Sequence, residues 1–162
     1  MEITYRPIGL IHSPFSDLRE MPIQPTGEAS APGSADVFPE FAEGLKDLEG
    51  FSHVMLIYHL HRARKANLTV IPFLGSAPHG IFATRAPTRP NAIGLSIVKL
   101  LKVEGNVLHL ANLDILDGTP LLDIKPYVPD FDAPSEAHVG WLEVERGRVK
   151  SAKSDDRFTP VS

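Results

Sequence analysis

The residues best suited to chemistry gather in two short stretches. Gly80–Ser96, GIFATRAPTRPNAIGLS, carries Arg85, Arg89 and Asn91 between Pro87 and Pro90 and short apolar runs. Asp117–Pro129, DGTPLLDIKPYVP, carries Asp117, Asp123, Lys125 and Tyr127 around Pro120, Pro126 and Pro129. Proline fixes its own φ and restricts the residue before it, so both stretches are stiff for their length. Arginine offers a permanently charged, bidentate partner for a carboxylate or phosphate. Asparagine both donates and accepts, which suits the edge of a base. Asp123, Lys125 and Tyr127 alternate along one face of an extended segment. Polar groups held on stiff loops between strands are what a preorganised small-molecule site needs.

A second constellation is weaker. His59 and His61 stand at i and i+2, on one face of a strand, and could share a metal ion. No third ligand lies close in sequence, so no metal site is expected. The chain has no cysteine, which excludes disulfides and thiolate-held zinc or iron–sulfur centres.

The elements that must position these groups come from a chain of 162 residues, the size of one domain. Ile3–His12 reads as a first strand, and Ser13–Ala35 as loop. Pro39–Glu49 reads as a short helix, with Pro39 at its start and Gly50 at its stop. Phe51–Leu60 is a nearly continuous apolar strand and so central. Leu68–Pro72 and Gly80–Thr84 read as short strands. Ile93–Val103 and Val107–Leu113 form a hairpin across Glu104-Gly105-Asn106. Leu121–Ile124 and Val139–Val144 are further strands, and Arg146-Gly147-Arg148 is a turn. Many short strands, frequent turns and one short helix predict an all-β fold, a small antiparallel β-barrel with long loops. No GxGxxG follows a strand, so a Rossmann-type cofactor fold has no support. Residues 1–150 are expected to form the barrel domain and 151–162 a polar tail.

The net charge of −4 argues against a generally basic surface, but the charges are segregated. Residues 50–103 hold seven Lys/Arg and no acid, whereas residues 1–49 hold three Lys/Arg against nine Asp/Glu. Arg62, Arg64, Lys65, Arg85, Arg89, Lys99 and Lys102 thus form a basic island in sequence, a candidate surface for an anionic ligand or RNA. The N-terminus has neither the basic start nor the apolar run of a signal peptide, and no apolar stretch reaches transmembrane length. A cytoplasmic protein without a membrane segment is expected.

The two long motifs closely resemble the signature segments of the TsaA-like family, whose characterised branch is TrmO. The resemblance runs from about Ile8 to Tyr127. It implies a small β-barrel that binds S-adenosyl-L-methionine, and a methyltransferase that modifies tRNA. The target would be the exocyclic nitrogen of a threonylcarbamoylated adenine 3′ of the anticodon. It further implies a homodimer and no metal.

Carried over residue by residue, the resemblance assigns cofactor contacts to Pro22, Ile23 and Gln24. The family usually has Arg in the middle position, so Ile23 offers backbone contacts but no charge. It assigns further cofactor contacts to His61, Arg62, Arg85, Leu95, Ile115, Leu116, Asp117 and Gly118. Arg85 would take the cofactor's carboxylate, and Leu95 would cover its adenine. Arg89 and Lys125 are candidates for the substrate. Asn91, Asp123 and Tyr127 are candidates to orient or deprotonate the amine, and the sequence does not rank them. The chain looks like a short form without the extra C-terminal domain of longer members. A nonenzymatic S-adenosylmethionine-sensing module is therefore the alternative. A metal-binding barrel using His59 and His61 is the third reading.

Overall fold

The computed structural model describes residues 1–21 and 31–145. Six antiparallel strands close into a barrel in the order β1 (Gly9–His12), β2 (Gly33–Val37), β7 (Val107–Ala111), β6 (Ile93–Glu104), β3 (His53–His59), β8 (Thr119–Pro126) and back to β1. A separate two-stranded ribbon pairs β4 (Thr69–Val70) with β5 (His79–Gly80). The expected all-β barrel is what forms.

The alternation of side chains explains the closure. Val54, Leu56 and Tyr58 of β3 and Ser96, Val98 and Leu100 of β6 are buried, and their sequence neighbours face outward. Ile11, Leu108, Leu110 and Leu121 complete a dry interior. A barrel leaves no sheet edge unpaired, so every strand polar group has a ladder partner available.

Several elements differ from the sequence expectation. The first strand is only Gly9–His12, and the segment before it is mostly exposed. Gly33–Val37, expected as loop, is a full barrel strand pairing β1 on one side and β7 on the other. Its sequence GSADV lacks β-branched or aromatic bulk until Val37, so it carries no strand signature; Ala35 is fully buried, and a Cβ at Gly33 would run into His12 O and the Leu113 side chain.

Pro39–Glu49 is not one α-helix. It forms two 3₁₀ turns, Pro39–Leu45 and Leu48–Gly50, separated where Asp47 adopts φ 66°. Val139–Val144, expected as a short strand, is instead a 3₁₀ turn over Gly140–Glu145. It is held by Trp141, which stacks on His79 at 4.4 Å and donates from Nε1 to Ala83 O at 2.8 Å. Gly80–Thr84 is also mostly a 3₁₀ turn, Ile81–Ala83, rather than a strand. One α-helical turn, α1 (Pro129–Asp132), follows β8.

Candidate active site at one end of the barrel

The end of the barrel formed by the close of β3, the start of β6 and the β7–β8 connection concentrates the polar groups. Tyr58 and Ser96 both point inward there. Tyr58 Oη lies 2.9 Å from Ser96 Oγ, and Ser96 Oγ lies 2.6 Å from Asp114 Oδ1. A carboxylate only accepts, so the serine hydroxyl donates to Asp114 and the phenol donates to the serine. Gly94 makes this possible: a Cβ there would run into the Tyr58 ring.

The electrostatics of this chain are unusual. Burial pushes the Asp114 carboxyl up to about 6, outweighing the bonds and the more distant Arg85 charge that lower it. Burial and the Asp114 charge together push the Tyr58 hydroxyl well above its ordinary range. Arg85 itself is exposed, and its charge acts on both groups. One mouth thus holds a fixed cation near its surface and a desolvated carboxyl inside.

Around it, the β7–β8 connection is pinned by β1. Ser13 Oγ donates to Ile115 O, Ser13 N donates to Asp117 Oδ1, and Gly118 N donates to Ile11 O. Asp117 also faces His12 Nδ1 at 3.4 Å. Gly118 has φ 71°, the left-handed region that favours glycine. Ile115 and Leu116 are buried, so they shape the turn from below. Thr119 Oγ1 donates to Leu116 O and lies 3.4 Å from His61 Nδ1. With the hydroxyl proton spent on Leu116, His61 Nδ1 is the donor of that pair. Burial, Arg62 and His59 hold His61 below its ordinary range, so it is neutral near pH 7. The charge of Arg62 reaches Asp17, which brings the 17–20 turn beside this end.

The fold gathers His61, Arg62, Arg85, Asn91 and the 115–118 turn at this end, and it separates the other candidates. Leu95 is opposite Ile57 on the outer face of the sheet, 46% exposed. Asp123 and Lys125 also face outward and pair with each other at 2.8 Å. Tyr127 packs edge-on against His53, toward the far end. Arg89 Nη1 donates to the carbonyls of Ile81, Thr84 and Ala86, which staples the loop around Arg85. Pro22, Ile23 and Gln24 lie outside the described residues. The basic island is split as well: Arg62, Arg64 and Lys65 follow β3 at the site end, whereas Lys99 and Lys102 lie far along β6, Lys102 paired with Glu104. Among the described residues, no three His, Cys, Asp or Glu gather as a metal site.

Sequence reasoning did not single out Tyr58, Ser96 or, except as a salt-bridge partner, Asp114. The signals were present but faint: a phenol inside an apolar strand, a serine at an inward position of another, and an acid three residues beyond a strand's end.

Residues 10–133 match the family described as the tRNA-methyltransferase O N-terminal domain. The chain belongs to that family. A probable S-adenosyl-L-methionine-binding protein of Pyrococcus abyssi is 54% identical over 156 residues, 96% of this chain and 85% of that protein. The mouse tRNA (adenine(37)-N6)-methyltransferase is 40% identical over 140 residues, 82% of this chain but 32% of the mouse protein. The crystal structure of TrmO from Pseudomonas aeruginosa superposes with a TM-score of 0.73 at 42% identity, covering 87% of this chain and 63% of that one. This chain therefore spans about a third of the mouse enzyme and under two thirds of the TrmO structure.

Proposed function

We propose that this member of the TrmO family is an S-adenosyl-L-methionine-dependent methyltransferase that acts on the exocyclic nitrogen of a modified adenine next to the tRNA anticodon. The observation that carries the reading is the pairing of opposite charges at one barrel mouth, Arg85 outside and Asp114 within, in a chain of this family. S-adenosylmethionine is a zwitterion with an additional sulfonium cation, and these residues fit it. Its contribution when bound is a methyl group on a leaving group that needs no acid.

The protein's own task is positional. Arg85 takes a carboxylate, the Asp117-Gly118 turn presents backbone groups, and His61 is a neutral hydrogen-bonding wall. The exocyclic amine must be held in line with the methyl group, about 3 Å away. An acceptor on its N–H restores electron density to nitrogen and helps remove the proton. Of the three residues suggested by sequence, Asn91 is the one at this mouth. Arg62, Arg64 and Lys65 beside it supply positive charge for tRNA phosphates. Such an enzyme would work in the cytoplasm; no helix among the described residues is long and apolar enough to cross a membrane.

We also infer a homodimer, supported by the outer face of β3 and β6. There Ile57 pairs with Leu95 and Met55 with Ile97, and Ile93 is 40% exposed. Light scattering that shows a monomer at micromolar concentration would remove this inference.

The test of the activity is incubation of the purified protein with methyl-labelled S-adenosylmethionine and unmethylated tRNA, followed by mass spectrometry of the nucleosides. A methylated, threonylcarbamoylated adenosine is the expected product. Cofactor binding without transfer to any tRNA would favour the alternative, a nonenzymatic S-adenosylmethionine-binding module. That alternative draws on the Pyrococcus relative, whose name specifies binding alone.

A further inference from the structure

Asp114 is poorly explained as a structural residue. A carboxylate has about four acceptor positions. The donors it has among the described residues are the Ser96 hydroxyl and its own backbone N–H. Ser96 is 1% exposed and Tyr58 is 7% exposed, so both commit buried hydroxyls to this one oxygen in a relay. A buried polar group is tolerated when its bonds are complete, and a half-satisfied one costs stability. Removing the whole relay in favour of apolar side chains would suit a barrel interior better. Its place at the mouth, three residues beyond β7 and in the same connection as the Asp117-Gly118 turn, points to a partner that arrives from outside. A cationic donor suits it best, because a carboxylate gains about twice as much from a charged donor as from a neutral one, and the proposed role of Arg85 is to take a carboxylate.

We propose that Asp114 is the anionic contact for the positive charge of S-adenosylmethionine, and that Ser96 and Tyr58 are positioning residues that aim it. This rests on the cofactor reading given above and deepens it. The ligand presents two cations, the α-ammonium and the sulfonium, and the carboxyl chemistry suits both. S-adenosylhomocysteine separates them, since it keeps the ammonium and lacks the sulfonium charge.

The experiment is isothermal calorimetry of both ligands against the full chain at pH 7.5. Wild type is compared with Asp114→Asn, Ser96→Ala, Ser96→Thr and Tyr58→Phe, after thermal unfolding confirms that each variant is folded. Asp114→Asn is expected to weaken S-adenosylmethionine roughly tenfold to a hundredfold, the range for a lost hydrogen bond to a charged group. Loss for S-adenosylmethionine alone assigns the sulfonium, and equal loss for both ligands assigns the ammonium. Ser96→Ala and Tyr58→Phe should weaken the same ligand several-fold, and Ser96→Thr, which keeps the hydroxyl, should recover it. Unchanged affinity of both ligands in folded Asp114→Asn overturns the assignment. Unchanged affinity in Ser96→Ala, with loss in Asp114→Asn, overturns the positioning role. Wild type that binds the cofactor but methylates no tRNA leaves Asp114 in place and removes the tRNA activity; wild type that binds neither ligand removes both readings.

Discussion

Asp114 and Asp123 belong to the same barrel and look alike in sequence, each an acid in a loop or strand rich in apolar residues, but Asp123 stands opposite Ile57 on the outer wall and Asp114 bonds to the inward-facing Ser96. Their surroundings separate them. Asp123 faces solvent on the outer wall, where Lys125 Nζ lies 2.8 Å from one carboxyl oxygen and the backbone N–H of Ile124 meets the other. Asp114 is half-buried with the Ser96 hydroxyl as its side-chain donor, and its pKa is pushed up to about 6. A satisfied, solvated carboxylate contributes little beyond solubility. A desolvated one beside a cleft is a candidate binding group. The far end also holds a cavity of about 540 Å³, walled by Val37, Phe41, Leu45 and Ile124 beside Asp123.

The sharpest way to break this comparison is Arg85→Ala. It should weaken S-adenosylmethionine roughly tenfold to a hundredfold and remove most of the ligand-induced rise in melting temperature. Arg85→Lys should restore that rise only in part, because lysine lacks the bidentate fork. A full ligand-induced shift in Arg85→Ala would take the residue out of the site.

Gly94→Ala tests the packing that holds the relay together. The new methyl would collide with the Tyr58 ring, and overpacking of this kind costs about 1–3 kcal/mol. Urea denaturation should show that loss, and cofactor affinity should fall with it. Gly44→Ala, where nothing lies within 4 Å, is the matched control and should show no such penalty.

The third test uses pH. The folded pKa of Asp114, about 6, lies above the 3.8 of an unperturbed aspartate, so the folded state binds more protons between these values. Stability from this group is therefore greatest at acid pH and is lost as pH rises through about 6. Without ligand, wild type should lose about 1 kcal/mol or less between pH 5 and 7.5 relative to Asp114→Asn, after discounting for partial exposure. Parallel stability–pH curves from chemical denaturation would show that the carboxyl is not desolvated.

The smallest effect belongs to the outer wall. Asp123→Asn should change stability by less than about 0.5 kcal/mol, as expected for an exposed pair, and leave cofactor affinity as in wild type. A tenfold loss of cofactor affinity would move the site to the outer wall and restore the sequence-based choice of Asp123.

Much of the fold was legible. Apolar runs such as VMLIYHL and the Glu104-Gly105-Asn106 turn announced strands and a hairpin, and β3, β6 and β7 stand within a few residues of where they were expected. β2 was not legible, because a strand squeezed between two neighbours over a full core is built from small residues that resemble loop. The 3₁₀ turns after Pro39 and at Gly140–Glu145 were missed because local pattern does not encode what shapes them: the left-handed φ of Asp47 divides the first segment, and Trp141 stacked on His79 holds the second.

The sequence by itself determined the all-β class, the family and the stiff loop bearing Arg85, since each follows from local residue type and order. Only the tertiary structure decided which polar groups share a site. A strand alternates its side chains between two faces, so Leu95 and Ser96, adjacent in sequence, lie on opposite sides of the barrel wall. The bulge in β8 opposite Ile57 and Tyr58 likewise turns Asp123 and Lys125 to the outside, while Ile124 packs inward. Closure then carries Tyr58, Ser96 and Asp114, up to 56 residues apart in the chain, into one hydrogen-bonded line. Local sequence cannot encode that meeting, because it arises from strand order and register, which are set by the burial of the whole core.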